Sequence, residues 1–368
     1  MARFFAFAAV IMLLLSIYVF FILRRAAKFW GINVKNRLVN IIIIGLSLLI
    51  CALGINPFRT PALIILHIIG ISAVLELINL FVFIAKKIKP FNFKAWNAVY
   101  KSGITPIAVT AVLLVYGFIN MHNLVETDYT VKTKKNISQD YKVLMLADSH
   151  YGTTTDADDL KEIKSRAERQ ELDLVVLVGD IVDESTTNEG MRESFKILGD
   201  IKSKYGTYYV FGNHDKAKYT SDPNFTESEL RQVIEHNGII ILEDENIQIT
   251  DDLVISGRQD FSDGRASVDT ALNGVDKDDF IIMLDHQPRD YEEEKQNKTD
   301  IVLSGHTHAG QIWPAKYVID LFNMAELSYG IETNDDFTAV VTSGVSGWGY
   351  PIRTQEHSEF VIIDIKKA

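Results

Sequence analysis

No single globule can accommodate both halves of this sequence. The first 120 residues carry twelve lysines and arginines and one acid, Glu76, a net charge of +11. The rest of the chain carries 25 basic and 47 acidic residues, a net −22. The overall value of −11 therefore describes neither part. A basic and strongly apolar segment suits a bilayer, whereas an acidic, charge-rich one suits water. The acidic half also excludes charge-driven binding of long nucleic acid, which needs clustered Lys and Arg, so no nucleic-acid partner is expected. The single cysteine, Cys51, lies in an apolar run. No intrachain disulfide can form, and cysteine usage leaves the compartment open.

Four apolar stretches occupy the first half, at about 4–23, 38–55, 62–85 and 103–120. Each approaches the length that spans a hydrocarbon core, so residues 1–120 are expected to form a four-helix transmembrane region. The first stretch is too long for the core of a cleaved signal peptide, and Arg24-Arg25 follows it where a small-residue cleavage site would stand. Short-loop charges set the orientation. Arg24, Arg25, Lys28, Lys35 and Arg37 share one side with Lys86, Lys87, Lys89, Lys94 and Lys101. The other side has Arg3, Arg59, Lys132, Lys134 and Lys135. Ten charges against five predict a multi-pass cell-membrane protein with both termini, and the acidic domain, outside the cytoplasm. Glu76 and Asn79 share a helix face that His67 does not. They mark either a functional intramembrane site or hydrogen bonds to a neighbouring helix. Residues 121–140 read as a polar linker.

From residue 141 short apolar strands alternate with amphipathic helices, which predicts an α/β sandwich with helices over the sheet faces. Strands are expected at 142–147, 174–178, 207–211, 239–242, 252–256, 280–284, 300–304, 338–342 and 360–365. Helices are expected at 157–170, 191–202 and 227–237. The polar residues recur at one place. Strand ends deliver Asp148-Ser149-His150, Gly179-Asp180-Ile181-Val182-Asp183, Gly212-Asn213-His214-Asp215, Asp285-His286 and Gly305-His306-Thr307-His308. The carboxyl ends of strands are where ligand sites lie in open α/β sheets. His306 and His308 leave one strand end on the same side, a geometry suited to metal ligation.

These motifs resemble, in order, the D-x-H, G-D-x-x-D, G-N-H-[DE], lone His and G-H-x-H signature of the calcineurin-like metallophosphoesterase superfamily. Gly310-Gln311-Ile312, Pro314 and Pro351-Ile352-Arg353 resemble its membrane-associated branch. The sequence departs from that branch at Ala309, where Gly is usual, at Val178, where Ser or Thr is frequent, and at Gln355-Glu356-His357, where a Pro-rich stretch is more usual. The resemblance covers residues 141–368 and implies a four-layer α/β/β/α sandwich.

It also implies a binuclear centre. Asp148, His150, Asp180 and His308 would hold one ion, and Asp180, Asn213, His286 and His306 the other, with Asp180 bridging. Two divalent cations can share a hydroxide that attacks phosphorus in line. Imidazole, carboxylate and amide donors without thiolate suit Mn²⁺, Fe or Zn²⁺. The resemblance assigns His214 as the residue facing the leaving group and Asp183 as its orienting partner. The expected function is a membrane-anchored phosphoesterase acting on phosphomono- or phosphodiesters, with lipid-linked phosphates among the candidate substrates. The alternative is a non-catalytic, metal-stabilised interaction or sensor module coupled to the membrane helices. His67, His122, His236 and His357 receive ordinary structural or solvated readings. The apolar run Trp313, Tyr317, Ile319, Leu321, Phe322, Met324, Leu327 and Tyr329 is read either as core packing or as a lid touching lipid.

Overall fold

The computed structural model describes residues 2–56, 59–89 and 94–368. The Arg3 side chain, used in the charge count, lies outside the described residues. The chain divides into two compact units, 1–116 and 117–368.

The first unit is helical: α1 Ala2–Phe29, α2 Arg37–Leu53, α3 Thr60–Ile88, α4 Lys94–Lys101 and the start of α5 Ile104–Met121. Among the described residues, three helices are long and apolar enough to cross a membrane, at Ala6–Phe29, Thr60–Ile88 and Ile104–Met121. The expected second span is shorter. The Asn36 side chain caps α2 at its start and the chain leaves the helix at Gly54, leaving 17 residues. Helix α4 was not expected; it carries Trp96, which donates a hydrogen bond to Asn79 Oδ1 at 3.0 Å. Glu76 is ion-paired with Arg25 and accepts from the Tyr100 hydroxyl. Glu76 and Asn79 of α3 are thus both engaged by neighbouring helices, which is how polar groups are accommodated in apolar bundles.

The second unit contains two six-stranded sheets. In chain order its elements are β1 Leu124–Thr133, β2 Tyr141–Leu146, α6 Ala157–Ala167, β3 Leu174–Val178, α7 Asn188–Gly199, β4 Thr207–Val210, α8 Glu227–His236, β5 Ile239–Ile241, β6 Glu245–Thr250, β7 Leu253–Gly257, α9 Val268–Ala271, β8 Phe280–Leu284, α10 Tyr291–Gln296, β9 Ile301–Ser304, α11 Ala315–Leu321, β10 Gly330–Asn334, β11 Phe337–Val341 and β12 Ser358–Lys367. The first sheet runs β1-β12-β2-β3-β4-β5 and the second β10-β11-β9-β8-β7-β6. Strands β2 to β5 are mutually parallel, as are β7, β8, β9 and β11. The runs of Val, Ile and Leu in β3, β8 and β9 are buried on both faces, as central parallel strands require.

One face of each sheet feeds a shared apolar cluster that includes Val143, Met145, Val176, Val210, Ile255, Ile282, Leu303 and Val361. The opposite face of the first sheet packs on Leu160 and Ile163 of α6, Phe195 and Leu198 of α7, and Leu230 and Ile234 of α8. These helices start where the sequence caps them. Asp156 with Asp159, and Thr226 with Glu229, form reciprocal capping boxes.

Residues 121–140, expected as a linker, contain the ten-residue strand β1. It pairs in parallel with β12, Leu124 opposite Ser358 and Thr133 opposite Lys367. Its β-branched content fits a strand, but its partner is far off in sequence, so no local signal announces the pairing.

Candidate metal centre

The parallel order brings the strand ends to one edge of both sheets. Asp148 and His150 follow β2, Asp180 follows β3, Asn213 and His214 follow β4, His286 follows β8, and His306 and His308 follow β9. Two close carboxylate–imidazole groups result. Asp148, His150 and His308 form one and Asp180, His286 and His306 the other, the potential ligand atoms of each lying within 4.8 Å of one another.

Tight backbone geometry makes this convergence possible. Asp148, His150, Asp180, His306 and His308 all have left-handed backbone angles, with φ between 40° and 71°. Such conformations cost non-glycine residues energy and cluster at functional sites. A Cβ on Gly212 would overlap the Asp180 carboxylate, and one on Gly305 would overlap Asp148. These glycines let the turns close on the acids. Asp215, given no role by the motif reading, braces two turns. Its carboxylate accepts the backbone N–H groups of Asp180, Ile181, Val182 and Gly212, at 2.6–3.2 Å.

The ring nitrogens show what the site needs. His286 Nδ1 donates to the Val178 carbonyl at 2.8 Å, leaving Nε2 3.1 Å from Asp180 Oδ2. His308 Nδ1 faces the Ser346 carbonyl at 3.3 Å, and His150 Nδ1 faces Asp183 Oδ2 at 3.2 Å. With protons on both Nδ1 atoms, the Nε2 lone pairs of His150 and His308 point at each other across 3.3 Å. The buried Asn213 Oδ1 has no hydrogen-bond partner among the described residues. Facing lone pairs and an orphaned amide oxygen, deep among carboxylates, fit cation binding.

Electrostatics divides the acids. Burial raises Asp148 to about 6. Burial also acts to raise Asp180, but the imidazoles of His286 and His214 beside it hold its carboxyl well below the ordinary range. Burial pushes His306 down to about 4, and lowers His308 as well, with His150 adding to the effect. Both rings therefore stay neutral at pH 7, the form that ligates metal.

The structure places Asp183 beside His150 rather than His214. Ser185 donates to Asp183 through both its amide, at 2.8 Å, and its hydroxyl, at 2.6 Å, which fixes the carboxylate there. Glu184, which the sequence reading missed, faces His214 instead, 2.9 Å from Nδ1. Burial opposes charge on His214, but Asp180 and Glu184 more than offset this and push it up to about 9. The His214 ring also lies 5.0 Å from Tyr219 and 5.1 Å from Trp348.

Arg353, a motif residue to which the sequence reading gave no role, also shapes the site. It is fully buried and donates to the carbonyls of His308 at 2.8 Å, Ser343 at 2.9 Å and Ser346 at 2.6 Å. It thereby fixes both His308 and the carbonyl that orients the His308 ring.

The sequence model of the calcineurin-like phosphoesterase family matches residues 141–310. An uncharacterized metallophosphoesterase of Aquifex aeolicus is 32% identical over 266 residues, covering 70% of this chain and 97% of that protein. The chain belongs to the calcineurin-like phosphoesterase family. A Campylobacter jejuni metallophosphoesterase is 31% identical, with 71% of this chain and 68% of that protein aligned. A Danio rerio relative, named as a transmembrane protein with metallophosphoesterase domain, is 30% identical over 73% of this chain. The alignment spans 64% of that relative's length. Membership accounts for the His/Asp clusters as sites for divalent metal ions, and the apolar helices agree with the name of the Danio rerio relative.

Proposed function

We propose that this chain is a membrane-anchored phosphoesterase with a two-cation centre. The carrying observation is the pair of Nε2 lone pairs facing across 3.3 Å, with Asp180 leading from that pair toward the second group. Asp148, His150, Asp180 and His308 would hold one ion, and Asp180, Asn213, His286 and His306 the other, with Mn²⁺, Fe or Zn²⁺ suiting the donors. Cations so held supply an activated water and neutralise phosphoryl charge.

The remaining work falls to the protein. His214, kept protonated by Asp180 and Glu184, is placed to donate a proton to the leaving-group oxygen. Its backbone N–H donates to Asp180 Oδ1 at 2.8 Å, so donor and shared ligand are held as one piece. Glu184 orients its ring through Nδ1, which leaves Nε2 for substrate. Asp183 and the Ser346 carbonyl hold the two facing imidazoles in register.

The clusters on both faces of the sheets support a four-layer α/β/β/α arrangement. Helix α2 is read as a short fourth span, since 17 residues rise about 26 Å, close to the hydrocarbon thickness. Four spans and the loop charges together support an extracytoplasmic phosphoesterase domain. A site tethered at a bilayer makes lipid-linked phosphates the first substrates to try.

Metal analysis and a panel of phosphomonoesters, phosphodiesters, nucleotides and phospholipids on the purified full-length protein test the proposal. Two ions per chain and hydrolysis of at least one class are expected. The Asp180→Asn variant should lose both ions and turnover. His214→Ala should keep the ions and lose about 10²–10⁴-fold in rate. Full metal content without hydrolysis of any class would instead make the chain a metal-stabilised binding module.

A further inference from the structure

The stretch after the last ligands is the most exposed apolar surface of the second unit. In helix α11 and its flanks, Leu321 is 76% exposed, Phe322 70%, and Trp313 and Tyr317 60% each. Val318 and Met324 are exposed beside them. The charges on this helix cancel, since Lys316 pairs with Asp320 at 3.1 Å. Soluble surfaces rarely gather this many large apolar side chains without a partner.

The local wiring names the partner. Trp313 donates its backbone N–H to Thr354 Oγ1 at 2.9 Å, and Thr354 donates its own to the Gln311 carbonyl at 2.9 Å. The same short segment carries the end of the membrane-length helix α5. Arg353 N–H donates to the Gly117 carbonyl at 2.9 Å, Asn120 Nδ2 donates to the Arg353 carbonyl at 3.2 Å, and Ser358 Oγ donates to the Met121 carbonyl at 2.7 Å. The patch and the last turn of a lipid-spanning helix are therefore fastened to one loop, 352–358. Tryptophan and tyrosine beside fully apolar side chains are also the composition that settles at the lipid–water boundary.

We propose that Trp313, Tyr317, Leu321, Phe322 and Met324 form a wedge that sits in the headgroup region of the bilayer. The wedge gives the phosphoesterase domain a second membrane contact beside its helix. Because α11 follows His308 by seven residues, that contact also fixes the mouth of the metal centre against the lipid surface.

The test is independent of turnover, so its failure is distinguishable from failure of the phosphoesterase reading. A full-length Cys51→Ala chain carrying Leu321→Cys is labelled with an environment-sensitive fluorophore. It is reconstituted in phosphatidylcholine–phosphatidylglycerol vesicles with and without shallow spin-labelled lipid. Lys134→Cys, exposed at the far end of β1, is the reference. Labelled proteins are compared by thermal melting, so only chains that fold as the parent does are read. The proposal expects blue-shifted emission at position 321 and quenching by spin-labelled lipid several-fold above that at position 134. Equal quenching at both positions overturns it. A blue shift at 321 without lipid quenching overturns it in favour of a contact between two copies of the chain. A blue shift that develops only on adding a lipid phosphoester overturns it in favour of a substrate-tail groove.

Discussion

The two ligand groups are built from the same residue types but are held differently. Asp148, His150 and His308 are all buried, and both rings are oriented from behind, by Asp183 and by the Ser346 carbonyl. Arg353 additionally grips the His308 main chain. In the second group His286 is buried and oriented by the Val178 carbonyl, while His306 is only half-buried. Outer partners of this kind raise a ligand's basicity and fix its direction. The first group is therefore the more preorganised, and the second is the more open to solvent, at His306.

Removing one imidazole from each group should expose this difference most strongly. His308→Ala leaves a buried gap among fixed partners, so the first ion should be lost and turnover should stay absent when metal is added back. His306→Ala opens a position that water can fill, so added metal should restore part of the second-site occupancy and part of the activity. Metal content and turnover across a metal titration check both variants. A His308→Ala protein rescued as readily as His306→Ala would mean that the two groups are equivalent.

A finer comparison sits within one turn, where Asp183 and Glu184 face different histidines. Asp183→Asn weakens the partner of a ligand and should lower metal affinity by about 10–100-fold. Glu184→Gln should leave metal content unchanged and act on His214. A general acid works only while protonated, so activity is lost as pH rises through its pKa. Glu184 is one of three carboxylates, with Asp180 and Asp183, that push His214 up to about 9; removing its charge lowers that value. The alkaline limb of the rate profile should therefore move to lower pH in both variants, and further in Glu184→Gln than in Asp183→Asn, since the Asp183 charge is the smallest of the three contributions. The opposite pattern would return the orienting role to Asp183.

That turn also shows how far the sequence could be read. The five strand-end motifs were legible because parallel strands must present their carboxyl ends along one edge, whatever the details of the sheets. Which of two adjacent acids faces which histidine depends on the Ser185 bonds that turn Asp183 toward His150, and no periodicity encodes that choice. Arg353 and Gln311 could be seen as motif residues, but their grip on the His308 loop needs the 350–355 segment folded back over it. Strand β1 was hidden for a related reason: its partner is the last strand of the chain. The α11 stretch left core and lipid readings open because apolar residues at helical spacing serve either; the structure exposes Trp313, Tyr317, Leu321, Phe322 and Met324, while Leu327 packs against the core.

The smallest effect belongs to Ala309, which directly follows the better-held group and stands where the sequence resemblance led to an expectation of glycine. Its φ is 50°, in the left-handed region, which costs a residue with a Cβ about 1–2 kcal/mol. Ala309→Gly relieves that strain but removes a fully buried methyl, worth about 0.8 kcal/mol, and adds unfolded-chain entropy worth about 0.5–1 kcal/mol. The opposing contributions are of equal size, so the melting temperature should move by only a few degrees in either direction. The first-site metal affinity should also hold, since Arg353 and Ser346 fix His308 from outside residue 309. Calorimetry and a competition titration with a chelator check the two parts. A large drop in metal affinity with unchanged stability would mean that the strained alanine itself aims His308, and the rigidity of the first group would then be stored in its backbone rather than in its hydrogen-bond partners.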